Sequence, residues 1–237
     1  SQTLQKGIHV ALLPEGTSKG TGKISPLKSG CYYASHLRDG EHIVSFPCVA
    51  VGNTYDFLSG ENGKALVFAH IGKTFQYRAC KGFEGESPEA YRLRDKQAFL
   101  SDVRQQFIDL HTFTLGQLAG RSVLSAAEGS GKIRLGLLRE KLDVEIGNLQ
   151  DLGAYIDAAL FSEKGIDDRL QGFIQGLSRQ GYCSIEGDTL FLEQERVLLH
   201  PSSVQRYKKE NILRFMVNKC DEVCKERADL ESALCSF

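Results

Sequence analysis

The chain has 237 residues, of which 41% are hydrophobic and 25% are charged, with a formal net charge of −1. This ordinary soluble composition suits one large domain or two modest ones, and no apolar run approaches the roughly 20 residues of a membrane span. Seven cysteines without a signal peptide favour free thiols in a reducing, cytoplasmic compartment.

The near-neutral total conceals a basic N-terminal region. Through residue 30 a single acid, Glu15, is accompanied by four lysines: Lys6, Lys19, Lys23 and Lys28. A local basic face on a nearly neutral chain indicates a small anionic ligand or an anionic surface. The same balance argues against general nucleic-acid binding.

The first 80 residues have the pattern of an α/β structure. Short apolar runs at 9–14 (HVALLP), 44–52 (VSFPCVAVG) and 65–72 (ALVFAHIG) predict strands. Between the first two runs, residues 26–40 can form a helix with one apolar face. Strand, glycine-rich loop, helix and strand in this order predict a βαβ unit with a parallel sheet.

A change in composition follows, and the remainder is mainly helical. Glycines and a proline between residues 81 and 88 mark a linker, and Ser87-Pro88 predicts the start of a helix. The YCSIEGDTLFL segment alternates around Gly187-Asp188 and predicts a β-hairpin. We therefore expect three regions: an α/β domain at 1–80, a linker at 81–88 and a helical domain at 89–237.

Two amphipathic helices stand out in the C-terminal region. One apolar face is formed by Leu170, Phe173, Ile174 and Leu177. A final helix opened by Pro201 has an apolar stripe consisting of Leu213, Val217, Cys220 and Cys224. These two cysteines are interpreted as core thiols rather than zinc ligands, since no further ligand pair has suitable spacing.

The segment 13–30, LPEGTSKGTGKISPLKSG, has the features of an anion site. Its glycines let the backbone bend and expose N–H groups, a helix can begin near Pro26, and Lys19, Lys23 and Lys28 can converge there. A glycine-rich surface loop without a ligand fits the spacing equally well, because the segment is neither a Walker loop nor a G-x-G-x-x-G motif.

The same segment resembles the third motif of the glycerol-3-phosphate and lysophosphatidic acid acyltransferases, F-P-E-G-T-R-S followed by T-G-K and P-F-K-x-G. The matching residues are Pro14, Glu15, Gly16, Thr17, Thr21, Gly22, Lys23, Pro26, Lys28 and Gly30. The runs at 44–52 and 65–72 are similar to the family's fourth motif and a later strand, so the resemblance covers about residues 8–75. The C-terminal region is a weaker match.

The resemblance implies part of an acyltransferase-type sheet with flanking helices, followed by the helical domain. It implies transfer of a fatty acyl group from acyl-CoA or acyl carrier protein to glycerol 3-phosphate or lysophosphatidic acid in phospholipid synthesis. No metal, organic cofactor or nucleic acid is expected, and the protein would sit peripherally on a membrane. The implied substrate-binding residues are Pro14, Glu15, Gly16, Thr17, Ser18, Lys19, Lys23 and Lys28.

Two departures from the family pattern bear on function. Ser18 replaces the motif's arginine, with Lys19 as a possible substitute that offers a point charge instead of a bidentate fork. None of the six histidines has an aspartate five positions on, so the family's His-x-x-x-x-Asp base is absent from this sequence. Because the chain starts at Ser1 and its only methionine is Met216, we expect that motif upstream, in a longer protein.

Other interpretations remain at this stage. The chain could be a phospholipid-headgroup-binding module or a pseudoenzyme. A helix at 166–180 before a hairpin also suggests a winged-helix nucleic-acid binder, although Asp167 and Asp168 offset Arg169 and Arg179 on that helix. For Glu15 the resemblance implies one of two roles: orienting the acceptor, or holding the loop by accepting backbone N–H bonds.

Overall fold

The computed structural model describes residues 9–13, 15, 21–39, 42–200 and 210–234. In chain order the helices and strands are α1 (Gly30–Ser35), β1 (His36–Asp39), β2 (His42–Ser45), β3 (Pro47–Asp56), β4 (Leu66–Gln76), α2 (Pro88–Asp109), β5 (Thr112–Phe113), α3 (Leu115–Glu128), β6 (Lys132–Arg134), α4 (Leu135–Asp151), β7 (Tyr155–Ile156), α5 (Glu163–Arg179), β8 (Cys183–Glu186), β9 (Thr189–Leu192), α6 (Gln194–Leu198), α7 (Ile212–Glu226) and α8 (Ala228–Leu234). Short 3-10 turns occupy Glu61–Gly63 and Ala158–Phe161.

The mixed α/β class and the helical C-terminal region are confirmed, but the sheets are small. Strands β1 and β2 pair antiparallel, β3 pairs with β4, and β6, β9 and β8 form a three-stranded sheet. The pairing of β5 with β7 is parallel, and it lies outside the region where a parallel sheet was expected.

The expected βαβ unit differs from the structure in two places. Residues 9–13 form no strand and are exposed, because no strand among the described residues pairs with them to take up their backbone hydrogen bonds. The helix expected over 26–40 is confined to α1, since the backbone becomes extended at His36 and turns into the β1–β2 hairpin. The expected strands at 44–52 and 65–72 lie within β2, β3 and β4.

Over the described residues the chain forms two compact units. The first consists of 9–13, 15, 25–39, 42–52 and 70–110, and the second of 21–24, 53–69, 111–200 and 210–234. This division differs from the expected boundary near 81–88. Helix α2 begins as expected, with the Ser87 hydroxyl accepting the Ala90 N–H at 3.2 Å, but it packs with residues that precede it in the chain.

The core of the first unit joins α2 to the β-hairpin region. Phe99 and Val103 of α2 pack against Tyr32 and Tyr77. Asp95, one turn before Phe99, is also buried, and its carboxylate accepts hydrogen bonds from the Tyr32 hydroxyl at 2.7 Å, the Tyr77 hydroxyl and a backbone N–H. Its three donors compensate the cost of removing this carboxylate from water.

The segment expected to be a linker is attached to α2. Arg94 donates to the Glu86 carboxylate at 2.8 and 2.9 Å and to the Lys81 carbonyl at 2.7 Å, and its guanidinium stacks over the Phe83 ring. Residues 81–88 therefore belong structurally to the first unit.

Helix α3 is the central element of the second unit, and its start is fixed by local sequence. Thr114 and Gln117 form a capping box, in which each side chain accepts the other residue's backbone N–H at 3.3 Å. The carboxylate of Asp56 also accepts the backbone N–H of Gly116 at 2.9 Å. Most side chains along α3 are buried, which shows that the helix is covered on nearly all sides.

The three-stranded sheet and helices α3, α4 and α5 have the connectivity of a winged helix: helix, strand, two helices and a hairpin, with β6 beside β9. The hairpin β8–β9 confirms the prediction around Gly187, whose φ is +59°. The charged side chains of α5 do not favour binding to duplex nucleic acid, in agreement with the sequence analysis of this helix. Arg169 is bound to the buried Asp157 at 2.7 Å, so it is not available to a phosphate.

Helix α7 confirms the predicted apolar stripe, since Leu213, Val217, Cys220 and Cys224 are all buried. The predicted helix start at Pro201 lies outside the described residues. Asn211 caps α7 by accepting the Arg214 N–H at 3.0 Å. Across the described ranges, no helix combines the length and the apolar character needed to cross a bilayer.

Glu145 is a charged side chain in the interior of the second unit. It lies on α4 with 2% of its surface exposed, and neither carboxylate oxygen has a hydrogen-bond partner among the residues that the structure describes. Burial raises the pKa of this carboxyl to about 7, although the Lys141 and Arg121 cations oppose the shift. Below about pH 7 the folded protein therefore holds Glu145 mainly in the protonated form.

We expect Glu145→Gln to stabilise the protein at pH 8 by about 1–3 kcal/mol. With a folded-state pKa near 7 and an unfolded value near 4.3, protonated Glu145 is tolerated at low pH, and this advantage is lost as the pH rises through about 7. Thermal unfolding at pH 5 and pH 8 measures the effect, which should fall at pH 5 to about a third of its size at pH 8. The exposed Glu140→Gln on the same helix is the control, and equal shifts for both variants at pH 8 would contradict the prediction.

Candidate functional site

The predicted substrate-binding segment is described in part. Glu15, Lys23 and Lys28 lie within the described residues, whereas Pro14, Gly16, Thr17, Ser18 and Lys19 lie outside them. Glu15 and Lys28 belong to the first unit, and Lys23 belongs to the second.

In the first unit, Glu15 closes the segment on itself. Its Oε2 atom accepts the backbone N–H of Ser25 at 2.8 Å, ten residues further along the chain. This is the loop-holding role, one of the two that the resemblance implies for Glu15. The hydroxyl of Ser25 is buried and, among the described residues, has no hydrogen-bond partner.

In the second unit, the segment Thr21–Ile24 lies against α7. The side-chain amide of Asn218 donates to the Thr21 carbonyl at 2.8 Å. Gly22 is buried with φ +75°, and a Cβ atom placed there would be 1.9 Å from the carbonyl oxygen of Phe215. Only glycine fits this position, both for its backbone angle and for its closeness to the helix.

Two lysines of the motif lie at the surface of the described part of the chain. Lys23 and Lys28 are exposed, and neither forms an ion pair with another residue in the described ranges. The Lys23 N–H lies 3.4 Å from the Thr21 hydroxyl, which closes a tight turn around Gly22. Both ammonium groups are therefore accessible to an anion.

Two buried histidines, His111 and His36, have structural contacts. His111 lies between the Thr54 hydroxyl, 3.3 Å from Nδ1, and the Gln117 carbonyl oxygen, 3.2 Å from Nε2. Burial lowers the pKa of His111 to about 3, and the Lys219 charge adds to this shift. In the first unit the His36 ring stacks on Tyr77 with the ring centroids 3.9 Å apart.

Sequence reasoning did not identify the buried carboxylates Asp56 and Asp95. For Asp95 a signal was present, because positions 95, 99 and 103 recur every four residues and place the acid on the buried face of α2. For Asp56 the signal was weaker, since an acid at the end of an apolar strand is common at the surface. Both are fully hydrogen-bonded structural groups.

The described ranges contain no group of three or more His, Cys, Asp or Glu side chains that could hold a metal ion. Cys220 and Cys224 are buried on α7, as the apolar stripe predicts. Burial also raises the pKa of Cys183 to about 11, so this thiol stays protonated at neutral pH.

An open groove of about 520 Å³ lies elsewhere in the second unit, between α4, α5 and β8. Its lining includes Leu170, Ile174 and Ile185, with Arg139 and Asp167 at one edge. None of the motif residues lines it.

Comparison of the chain with models of protein families, with curated proteins and with solved structures found no match.

Gly22→Ala should destabilise the second unit by about 2 kcal/mol or more, because a methyl group would overlap the Phe215 carbonyl and the backbone angle would be strained. Chemical denaturation measures the change in the free energy of unfolding. The matched control is Gly30→Ala, since Gly30 belongs to the same motif, lies in a helix and has no atom within 4 Å of an added Cβ. A loss for Gly22→Ala no larger than that for Gly30→Ala would contradict the geometry.

Proposed function

We propose that this chain is part of an acyltransferase that moves a fatty acyl group from acyl-CoA or acyl carrier protein to a hydroxyl of glycerol 3-phosphate or lysophosphatidic acid. The phosphate of the acceptor binds to the segment from Pro14 to Lys28. The observation that carries the proposal is the hydrogen bond from the Ser25 N–H to the Glu15 carboxylate.

This hydrogen bond bears on the negative charge of Glu15, which would repel a phosphate bound nearby. A carboxylate beside a bound phosphate is unfavourable unless its charge is compensated. Because Glu15 accepts a backbone N–H from a residue ten positions further along the chain, its carboxylate has a structural task in the loop and its negative charge is partly compensated. Loop holding is one of the two roles that the resemblance implies for Glu15.

Two further observations support an anion site. Lys23 and Lys28 are exposed without an ion-pair partner in the described part of the chain, so binding a phosphate breaks no existing salt bridge. The buried Ser25 hydroxyl, which has no partner among the described residues, is a donor next to the point where the loop closes. A charge-assisted hydrogen bond contributes about 1.5–3 kcal/mol.

The remaining elements of the proposal come from the resemblance. The acyl thioester is the co-substrate, the mechanism uses no metal or organic cofactor, and the enzyme works at the cytoplasmic surface of a membrane in phospholipid synthesis. The general base is a histidine of the His-x-x-x-x-Asp motif, which this sequence lacks.

Lys19→Ala should weaken binding of sn-glycerol 3-phosphate to the 237-residue chain by about tenfold or more. Lys19 is the cation next to Ser18, where the family motif has arginine, so its removal deletes the main charge partner of the phosphate. Isothermal titration calorimetry at low salt, with glycerol as the ligand that lacks a phosphate, measures the dissociation constants.

Lys23→Ala and Lys28→Ala test the neighbouring cations, and Lys132→Ala on β6 is the control for a general loss of positive charge. Wild-type binding that does not distinguish glycerol 3-phosphate from glycerol would refute the proposed function. Equal, small effects of all four substitutions would refute the assignment of the phosphate to this loop.

The 237-residue chain by itself should bind the acceptor without transferring acyl groups. General-base catalysis contributes about 10²–10⁴-fold, and no histidine of this sequence has an aspartate five positions on. A radiolabelled transfer assay with palmitoyl-CoA and glycerol 3-phosphate provides the test. Substantial turnover would contradict this prediction and would place the base among the six histidines present.

A further inference from the structure

Helix α7, near the C-terminus, holds one arm of the candidate loop. The arm is Thr21–Ile24, which belongs to the second unit together with α7. Its contacts with α7 restrict the position of its backbone. The Asn218 amide donates to the Thr21 carbonyl at 2.8 Å, and the Gly22 backbone lies directly against the Phe215 carbonyl. Ile24 is buried as well. The arm is therefore fixed by residues almost 200 positions away in sequence.

Helix α7 is itself firmly held, which makes it a suitable support. Its residues Leu213 and Val217 lie so close to Gly120 of α3 that an added Cβ would be 2.8–2.9 Å from them. The Phe57 N–H points at the Met216 sulfur at 3.2 Å, and the Phe57 ring packs edge-on against Phe215. Movement of α7 would disturb the closely packed interior of the second unit.

We infer that Asn218 is a positioning residue for the acceptor phosphate, an inference that rests on the proposed function. By holding the Thr21 carbonyl, Asn218 fixes the turn at Gly22 and thereby the direction in which Lys23 leaves the backbone. Lys23 contacts the phosphate, and Asn218 acts only through the loop. The C-terminal region thus contributes to acceptor recognition without touching the acceptor.

The chemistry of the contact explains why an amide is suited to this position. Asn218 donates a hydrogen bond to a carbonyl without adding charge, whereas an acid would repel both that carbonyl and a nearby phosphate. Pre-ordering the arm reduces the conformational entropy lost when the ligand binds. Loss of the contact should weaken binding by about three- to tenfold.

The experiment compares Asn218→Leu with Asn148→Leu in the 237-residue chain. Leucine keeps the size of asparagine and removes the donor. Asn148 is a close match, because its amide also donates to one backbone carbonyl, that of Ala233, at 2.9 Å within the second unit, and it is also half-buried. The comparison therefore separates loss of this particular contact from a general loss of stability.

Two measurements are made on each variant. The first is the rate of tryptic cleavage after Lys23, which reports release of the arm and requires no ligand. The second is the dissociation constant of sn-glycerol 3-phosphate, measured at a temperature at which circular dichroism shows all variants folded. We expect Asn218→Leu to speed cleavage at Lys23 and to raise the dissociation constant about three- to tenfold. Asn148→Leu should change neither, and Asn218→Gln, which keeps a donor, should recover part of the loss.

The outcomes separate this inference from the proposed function. If cleavage at Lys23 and binding respond equally to Asn218→Leu and Asn148→Leu, while the wild-type chain binds glycerol 3-phosphate, the inference alone is overturned. If Asn218→Leu releases the arm but even the wild-type chain does not bind glycerol 3-phosphate, the proposed function fails and the positioning role fails with it.

Discussion

The second unit is organised around the carboxylate of Asp56 at the N-terminus of α3. Asp56 is fully buried, and it accepts the N–H groups of Leu58 at 3.0 Å, Ser59 at 2.9 Å and Gly116 at 2.9 Å. An anion at this end of a helix satisfies a backbone donor that has no partner within the helix and is favoured by the helix dipole. The same carboxylate thus shapes the turn after β3 and fixes where α3 begins. Gly116 permits this approach, since a Cβ there would lie 2.5 Å from Asp56.

Once α3 is fixed, the elements around it follow from close packing. Gly120 allows α7 to approach α3, and Gly172 and Gly176 allow α5 to approach the turn at Leu58 and Ser59. Each glycine lies where another side chain would collide with a neighbouring backbone or a buried side chain. The candidate loop joins this arrangement through Gly22, which meets α7 in the same way. The Thr21–Ile24 part of the candidate loop is thereby attached to the closely packed interior of the second unit.

Three buried acids show how differently a fold can treat a carboxylate. Asp56 and Asp95 each accept three hydrogen bonds, so the cost of burial is offset. Glu145 accepts none from the described residues, and its pKa is raised to about 7. Burial of Glu145 lowers the free energy of unfolding above neutral pH, and no hydrogen bond from the described residues offsets this cost. Ionisation of Glu145 therefore makes the free energy of unfolding depend on pH near neutrality.

The sequence by itself determined the features that depend on neighbouring residues. Ser87-Pro88 set the start of α2, the spacing of Leu213 and Val217 set the buried face of α7, and the turn at Gly187 set the hairpin. These features follow from capping, helical periodicity and backbone angles, which act over a few residues. The resemblance of residues 13–30 to an acyltransferase motif stays a prediction, and the hydrogen bond that Glu15 accepts from Ser25 is compatible with one of the two roles that this resemblance implies.

Only the tertiary structure decided which distant segments meet. An apolar run such as 9–13 can be a strand only when another strand pairs with it, so the sequence could not establish the parallel sheet that was expected there. The boundary between the two units depends on α2 packing against Tyr32 and Tyr77, which lie before it in the chain. The contact between Asn218 and Thr21 had no sequence signal, because a hydrogen bond between residues almost 200 positions apart exists only after the chain has folded.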